Sequence, residues 1–158
     1  MNGRKFIPLL VVVGTMLAYH NSFTGPFIFD DVPAITGNPT IRHLMPIGRV
    51  LSLQYQGRNT VEGRPLINLS LAISYAFSGS EVWAYHVLNR LVHILAGLTL
   101  LGVVRRTLLQ PRLRERFAAS ADGLAIAVAA LWVVHPLQTE SVTYVVQRAE
   151  SIMGLFYL

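Results

Sequence analysis

The chain has 158 residues, 53% of them hydrophobic and only 13% charged, about half the charge of an ordinary soluble domain, where roughly 25% is usual. A soluble fold of this length would need polar surface that the sequence lacks. Its net charge of +5 is carried by clustered Arg with no basic–aromatic motif, which argues against nucleic acid, and the absence of Cys excludes disulfides and thiolate metal sites.

In chain order, Arg4 and Lys5 precede an apolar run over residues 6–20. That order suits a signal peptide or a signal-anchor. The run ends Leu17-Ala18-Tyr19-His20-Asn21, without the small residues of a cleavage site, which favours the anchor. Pro8 falls in the first turn, where a missing N–H costs little. Residues 21–86 follow as one long external loop, punctuated by turns at Gly25-Pro26, Pro33, Gly37-Asn38-Pro39 and Gly57. Apolar pieces such as 41–54 are expected to lie along the membrane surface. The stretch 66–77, about 18 Å as a helix against a hydrocarbon core of about 30 Å, reads as interfacial or re-entrant. Trp83 and Tyr85 occupy the place of an aromatic belt.

A second span is expected over 87–104. Arg105, Arg106, Arg112, Arg114 and Arg116 follow it, with Pro111 breaking the helix. The positive-inside rule puts this segment and the N-terminus in the cytoplasm. A third span over 118–134 returns outward, so 135–151 forms a second external loop. A further apolar run at 152–158 stops well short of a span, and the sequence is expected to be a fragment cut at Leu158. The fold class is therefore all-α: a polytopic membrane helix bundle with interfacial helices in its first external loop.

Three groups of residues could do chemistry. Asp30 and Asp31 follow Phe27-Ile28-Phe29, and apolar neighbours raise a carboxylate pKa toward that of a general base; a solvated pair, with Asp31 capping the next turn, is the plainer reading. His86, Asn89, Arg90 and His93 share one helix face at i, i+3, i+4 and i+7. Polar groups there either face a polar cavity or bond between helices, and the two His, about 10.5 Å apart in rise, do not bind one metal ion unaided. The second loop carries His135, Glu140, Arg148 and Glu150. Arg148 suits a phosphate, through the two parallel bonds of its planar fork, or an ion pair with Glu140 or Glu150.

Five pieces stand in register: Phe29-Asp30-Asp31 with Asn38-Pro39; Gly63-Arg64-Pro65-Leu66 with Leu69-Ser70; Tyr85-His86 with Asn89 and His93; His135-Pro136-Leu137-Gln138-Thr139-Glu140; and Val146-Gln147-Arg148-Ala149-Glu150. Their order resembles the N-terminal membrane region of the transmembrane and tetratricopeptide-repeat-containing glycosyltransferases. These are relatives of the protein O-mannosyltransferases in the GT-C superfamily. The resemblance implies a multi-span enzyme of the bacterial inner membrane or endoplasmic reticulum, using a polyprenyl-phosphate-linked sugar and a protein hydroxyl acceptor on the extracytoplasmic side. The acidic motif of the first external loop falls on Asp30 and Asp31. Arg64, His86, Asn89, His93, His135, Glu140, Arg148 and Glu150 then form the expected substrate-binding set, with Arg148 or Arg64 toward the leaving phosphate. A divalent metal at the Asp30–Asp31 pair is a candidate cofactor, and the residues do not assign one. Two other classes fit the same architecture: a non-catalytic anchor for a repeat region, and a transporter with polar groups lining its path.

Overall fold

The computed structural model describes residues 7–52, 61 and 63–158, with the side chain of Ile7 left aside. Arg4, Lys5, Phe6 and Gly57, and with them the first basic cluster and part of the long loop, lie outside the described residues. Those described are helical, with no strand among them. The helices are α1 (Ile7–Ala18), α2 (Ile47–Leu51), α3 (Pro65–Ser78), α4 (Val82–Leu108), α5 (Pro111–Phe117), α6 (Ala121–Val133), α7 (Thr139–Thr143) and α8 (Arg148–Tyr157).

Proline and glycine set the boundaries as their backbone chemistry requires. Pro65 and Pro111 open α3 and α5 in the first turn, where no N–H is needed. Gly79, at φ +59°, turns the chain from α3 into α4. The Tyr85 hydroxyl fastens that corner by donating to the Gly79 carbonyl at 2.9 Å. Tyr85 is therefore fully buried and does not serve an aromatic belt, whereas Trp83 is half exposed.

Helix α4 has 27 residues, about 40 Å, and outruns the expected 87–104 at both ends. Its first turn packs on the external loop, and Arg105 and Arg106 continue its last. Among the described residues it alone is long and apolar enough to cross a bilayer as one straight helix. The expected third span is a bent pair instead: α5 and α6 meet that test only together, at an angle of 95°. The run 66–77 is a short apolar helix, α3, as its length implied.

Contacts at the helix ends fix the direction of packing. Arg105 near the end of α4 pairs with Asp122 at the start of α6, Nε to Oδ1, at 2.6 Å. The Tyr19 hydroxyl, just past α1, donates to Val133 O at the end of α6 at 3.1 Å. So α1 and α6 run together, antiparallel to α4. Val11, Leu101, Ala125, Ala129 and Val133 form the core between them. A second core, around Ile35, Ile41, Val50, Leu71, Tyr85 and Val145, lies under the external loops.

Candidate functional site at the loop end of the helices

The polar face of α4 is wholly buried, and its side chains bond to backbone groups of the loops and helix ends packed against it. His86 Nε2 lies 2.9 Å from Gly25 O, and His93 Nε2 lies 3.0 Å from Val133 O. A carbonyl only accepts, so each Nε2 carries the proton. Arg90 donates through Nη2 to Tyr19 O and to Ser22 Oγ, the latter at 2.8 Å, with its guanidinium 3.3 Å from the centre of the Phe23 ring. His93 stacks on Trp132 and meets Tyr19 edge-on. Tyr19 and Val133 sit at the ends of α1 and α6, where the last carbonyls lack an i+4 α-helical donor; Tyr19 O also accepts from Ser22 N at 3.2 Å. The face thus satisfies helix termini. Among the described residues, Nδ1 of both His and Nε and Nη1 of Arg90 have no partner.

Arg148 is the most heavily engaged side chain. It is fully buried, and its Nε donates to Asn89 Oδ1 at 2.8 Å. Nη1 donates to Ser70 O at 3.0 Å and Ser74 Oγ at 3.2 Å, and Nη2 to Tyr85 O at 3.0 Å. Asn89 Nδ2 in turn reaches the carbonyls of Val142 and Tyr144. The guanidinium binds α3, α4 and α8 together, and burial lowers its pKa to about 9, so it is still protonated at neutral pH. Neither the expected phosphate contact nor the alternative pair with Glu140 or Glu150 describes this geometry: its donors are spent on the protein interior.

The two acids differ. Asp31 is 1% exposed. Its Oδ1 accepts from Val146 N at 2.8 Å and its Oδ2 from Ile28 N at 3.3 Å. Burial raises its pKa, opposed by those N–H groups and by the charge of Arg148. It makes no side-chain bond to cap the turn that follows. Asp30 is exposed, and its carboxylate has no hydrogen-bond partner among the described residues. Its backbone N–H donates to the Tyr144 hydroxyl at 3.0 Å. Phe29 before it holds φ +43° while 83% exposed, a left-handed conformation that costs roughly 1–2 kcal/mol in a residue with a side chain. Strain of this kind gathers at working sites.

The second loop breaks between α7 and α8, so residues 135–151 are not one helix. His135 Nδ1 accepts from Leu137 N at 3.2 Å and caps the short turn at 136–138. Glu140 and Glu150, with Gln138 and Gln147, line a cleft of about 290 Å³ walled by Trp132. A second cleft of about 260 Å³, lined by Arg64, Ile67 and Met153, shares Glu150. An apolar groove of about 290 Å³ runs between α3 and α4 past Ile73, Phe77, Trp83 and Leu91. Tyr144 is the residue that sequence reasoning missed, because a lone Tyr in an external loop carries no periodic signal. Among the described residues no three His, Asp or Glu side chains gather as metal ligands. With Asp31 engaged by two N–H groups, the pair offers one free carboxylate, which does not fit a metal site, and no step below passes through one.

Over nearly its whole length the chain is similar to proteins named protein O-mannosyl-transferases. With TMTC1 of Homo sapiens it shares 30% identity over 94% of this chain and 17% of that protein. With TMTC3 of Homo sapiens the figures are 31%, 98% and 16%, and with Tmtc3 of Drosophila melanogaster 30%, 95% and 18%. The chain therefore spans less than a fifth of the length of these relatives. No protein-family model matches it, and neither does any solved structure.

Proposed function

The chain is related in sequence to the TMTC protein O-mannosyl-transferases, and on that premise we propose that it forms the catalytic membrane portion of an enzyme that moves a hexose from a polyprenyl-phosphate donor to a protein Ser or Thr hydroxyl. In this reading α1, α4 and the bent α5–α6 pair cross the membrane. The Arg clusters face the cytoplasm, and Asp30, Asp31 and the clefts face the other side. Cys placed at exposed Leu137 should react with an impermeant thiol reagent on that side, and Cys at Gln110 should not.

Asp30 is the general base. The acceptor oxygen bonds to the anomeric carbon as that carbon's bond to the phosphate oxygen breaks. The bonding pair leaves on the polyprenyl phosphate, and the hydroxyl proton passes to Asp30. A phosphate leaves readily, so one carboxylate serves where a glycosidase needs two. Asp31 anchors the turn beneath it. With Arg148 consumed inside the protein, exposed Arg64 takes the phosphate, and the groove between α3 and α4 takes the lipid chain.

The observation that carries this reading is the contrast within the acid pair: one carboxylate locked by two N–H groups, the next one free at the surface on a strained turn. In the full-length protein, Asp30→Asn should cut transfer by about 10²–10⁴ while the protein still inserts. Full activity in that variant overturns the assignment and leaves an anchoring role. A conduction path has less support, because His86, Asn89, Arg90 and His93 all bond to protein groups.

A further inference from the structure

The 290 Å³ cleft between the second loop and α8 has an unusual lining for a lipid-phosphate enzyme. Glu140 and Glu150 border it, with Gln138, Gln147 and Ser141, and Trp132 forms an apolar wall. No Arg, Lys or His contributes. The carboxylates of Glu140 and Glu150 and the amide of Gln147 have no hydrogen-bond partner among the described residues. We infer that this cleft holds the hexose of the donor and reads its hydroxyls; the inference rests on the transferase reading above and names the subsite within it.

Three observations select that ligand. The two carboxylates accept hydrogen bonds from neutral hydroxyls and the carboxamides both donate and accept, while the nearby cation, Arg64, lines the neighbouring cleft on the other side of Glu150. The volume lies at the lower end of the range for small-molecule clefts, about 300–1,000 Å³, which suits one monosaccharide. The third is position. Tyr144, between two residues that line the cleft, Ser141 and Gln147, touches the acid pair: its hydroxyl accepts the Asp30 N–H at 3.0 Å. Its own N–H donates to the Glu140 carbonyl at 3.0 Å, which ties it to the cleft wall. On the far side, Glu150 borders both this cleft and the one that holds Arg64. A donor with its phosphate at Arg64 would place its sugar across Glu150, toward Asp30.

The test uses the full-length protein in nanodiscs with a polyprenyl-phosphate hexose donor, and the variants Glu140→Gln, Glu150→Gln and the pair together. Replacing an accepting carboxylate by a carboxamide should raise the donor KM about ten-fold or more in the double variant. It should also weaken the preference between epimeric hexoses. Inhibition by sugarless polyprenyl phosphate should not weaken, because Arg64 is untouched and removing the Glu150 charge beside it takes no contact from a phosphate. An unchanged KM and epimer preference, or equal weakening of donor and sugarless inhibitor, overturns the inference. So does a divalent-cation requirement that disappears with the two substitutions, which would make the cleft a cation site. Absence of transfer in the wild type sinks the transferase reading instead. Saturation-transfer NMR with a methyl hexoside then still reads the cleft: signal in the wild type, lost in the double variant, supports sugar binding, and its absence from the wild type removes it.

Discussion

Between Val82 and His93, helix α4 buries Tyr85, His86, Asn89, Arg90 and His93; from Ala96 to Leu101 it buries only Ala96, Gly97 and Leu101. The first half meets loops and the ends of α1 and α6, whose carbonyls lie outside regular α-helical pairing and accept from its side chains. Each of His86, Asn89, Arg90 and His93 places a donor on that irregular backbone. The second half meets the sides of α1 and α6, where the backbone is already satisfied within each helix. Nothing remains to be bonded, and small residues simply let the helices approach. One helix thus carries two packing rules, and the working residues gather at the polar end because irregular backbone gathers there.

Arg148 offers the hardest test of the polar rule. Arg148→Met keeps the apolar stem but leaves Asn89 Oδ1 without a donor and strips the charged donor from Ser70 O and Tyr85 O, which keep their helical partners. Hydrogen bonds to a charged group contribute about 1.5–3 kcal/mol each, and one buried acceptor is left unpaired, so the loss should reach about 3–5 kcal/mol. Hydrogen exchange should speed up across residues 139–151 while α6 keeps its protection. Arg148→Lys should recover only part, since one ammonium does not span three helices. Wild-type protection in the Met variant would mean that the network contributes little.

Gly97 tests the apolar rule. A Cβ there would stand 2.5 Å from Val133 Cγ1 and 3.1 Å from Val11 Cγ1. Gly97→Ala should cost about 1–3 kcal/mol through overpacking. Adding Val133→Ala should restore part of it, a coupling that distant sites do not show. If the two changes simply add, the close approach of α4 and α6 is not what limits the site.

The two halves were unequally legible in the sequence. The apolar half follows from composition: a long Leu- and Val-rich run closed by Arg105 and Arg106 announces a helix and its end. The bend between α5 and α6 did not show, because Ala118-Ala119-Ser120 contains neither Pro nor Gly. Spacing put His86, Asn89, Arg90 and His93 on one face, but could not say that their partners were carbonyls, which carry no sequence signal. Arg148 misled for the same reason. An Arg beside two Glu reads as a phosphate clamp or an ion pair, and its acceptors are uncharged oxygens of α3 and α4, backbone and side chain, that only folding brings to it. The similarity to known transferases confirms the family resemblance but does not assign the roles of individual residues.

Asp31 yields a smaller effect, with a sign. Its carboxyl is raised above the ordinary 3.8, by burial first. A raised acid contributes stability that is full below 3.8 and lost as pH rises through the folded value. The thermal midpoint of the wild type relative to Asp31→Asn should therefore increase on acidification from about pH 7 to about pH 4. The opposite trend would mean that the Val146 and Ile28 N–H groups outweigh burial, and that Asp31 is held as a favourable anion.

Arg105 and Asp122, at the apolar end, should matter least. Their contact is short at 2.6 Å, yet the side chains are 37% and 27% exposed, so water screens the pair and competes for both groups. An exposed pair is worth about 0–1 kcal/mol. The surroundings add a little: Arg105 lies in the last turn of α4 and Asp122 in the first turn of α6, each the favourable sign for its helix end. Asp122→Asn should thus lower stability by no more than about 1 kcal/mol, and the deficit should shrink in about 1 M salt, where the screening length falls to about 3 Å. Arg148→Met should show no such salt dependence, because its bonds run to uncharged acceptors inside the protein. A large, salt-insensitive loss at Asp122 would place a buried polar anchor at both ends of α4 and erase the contrast between its halves.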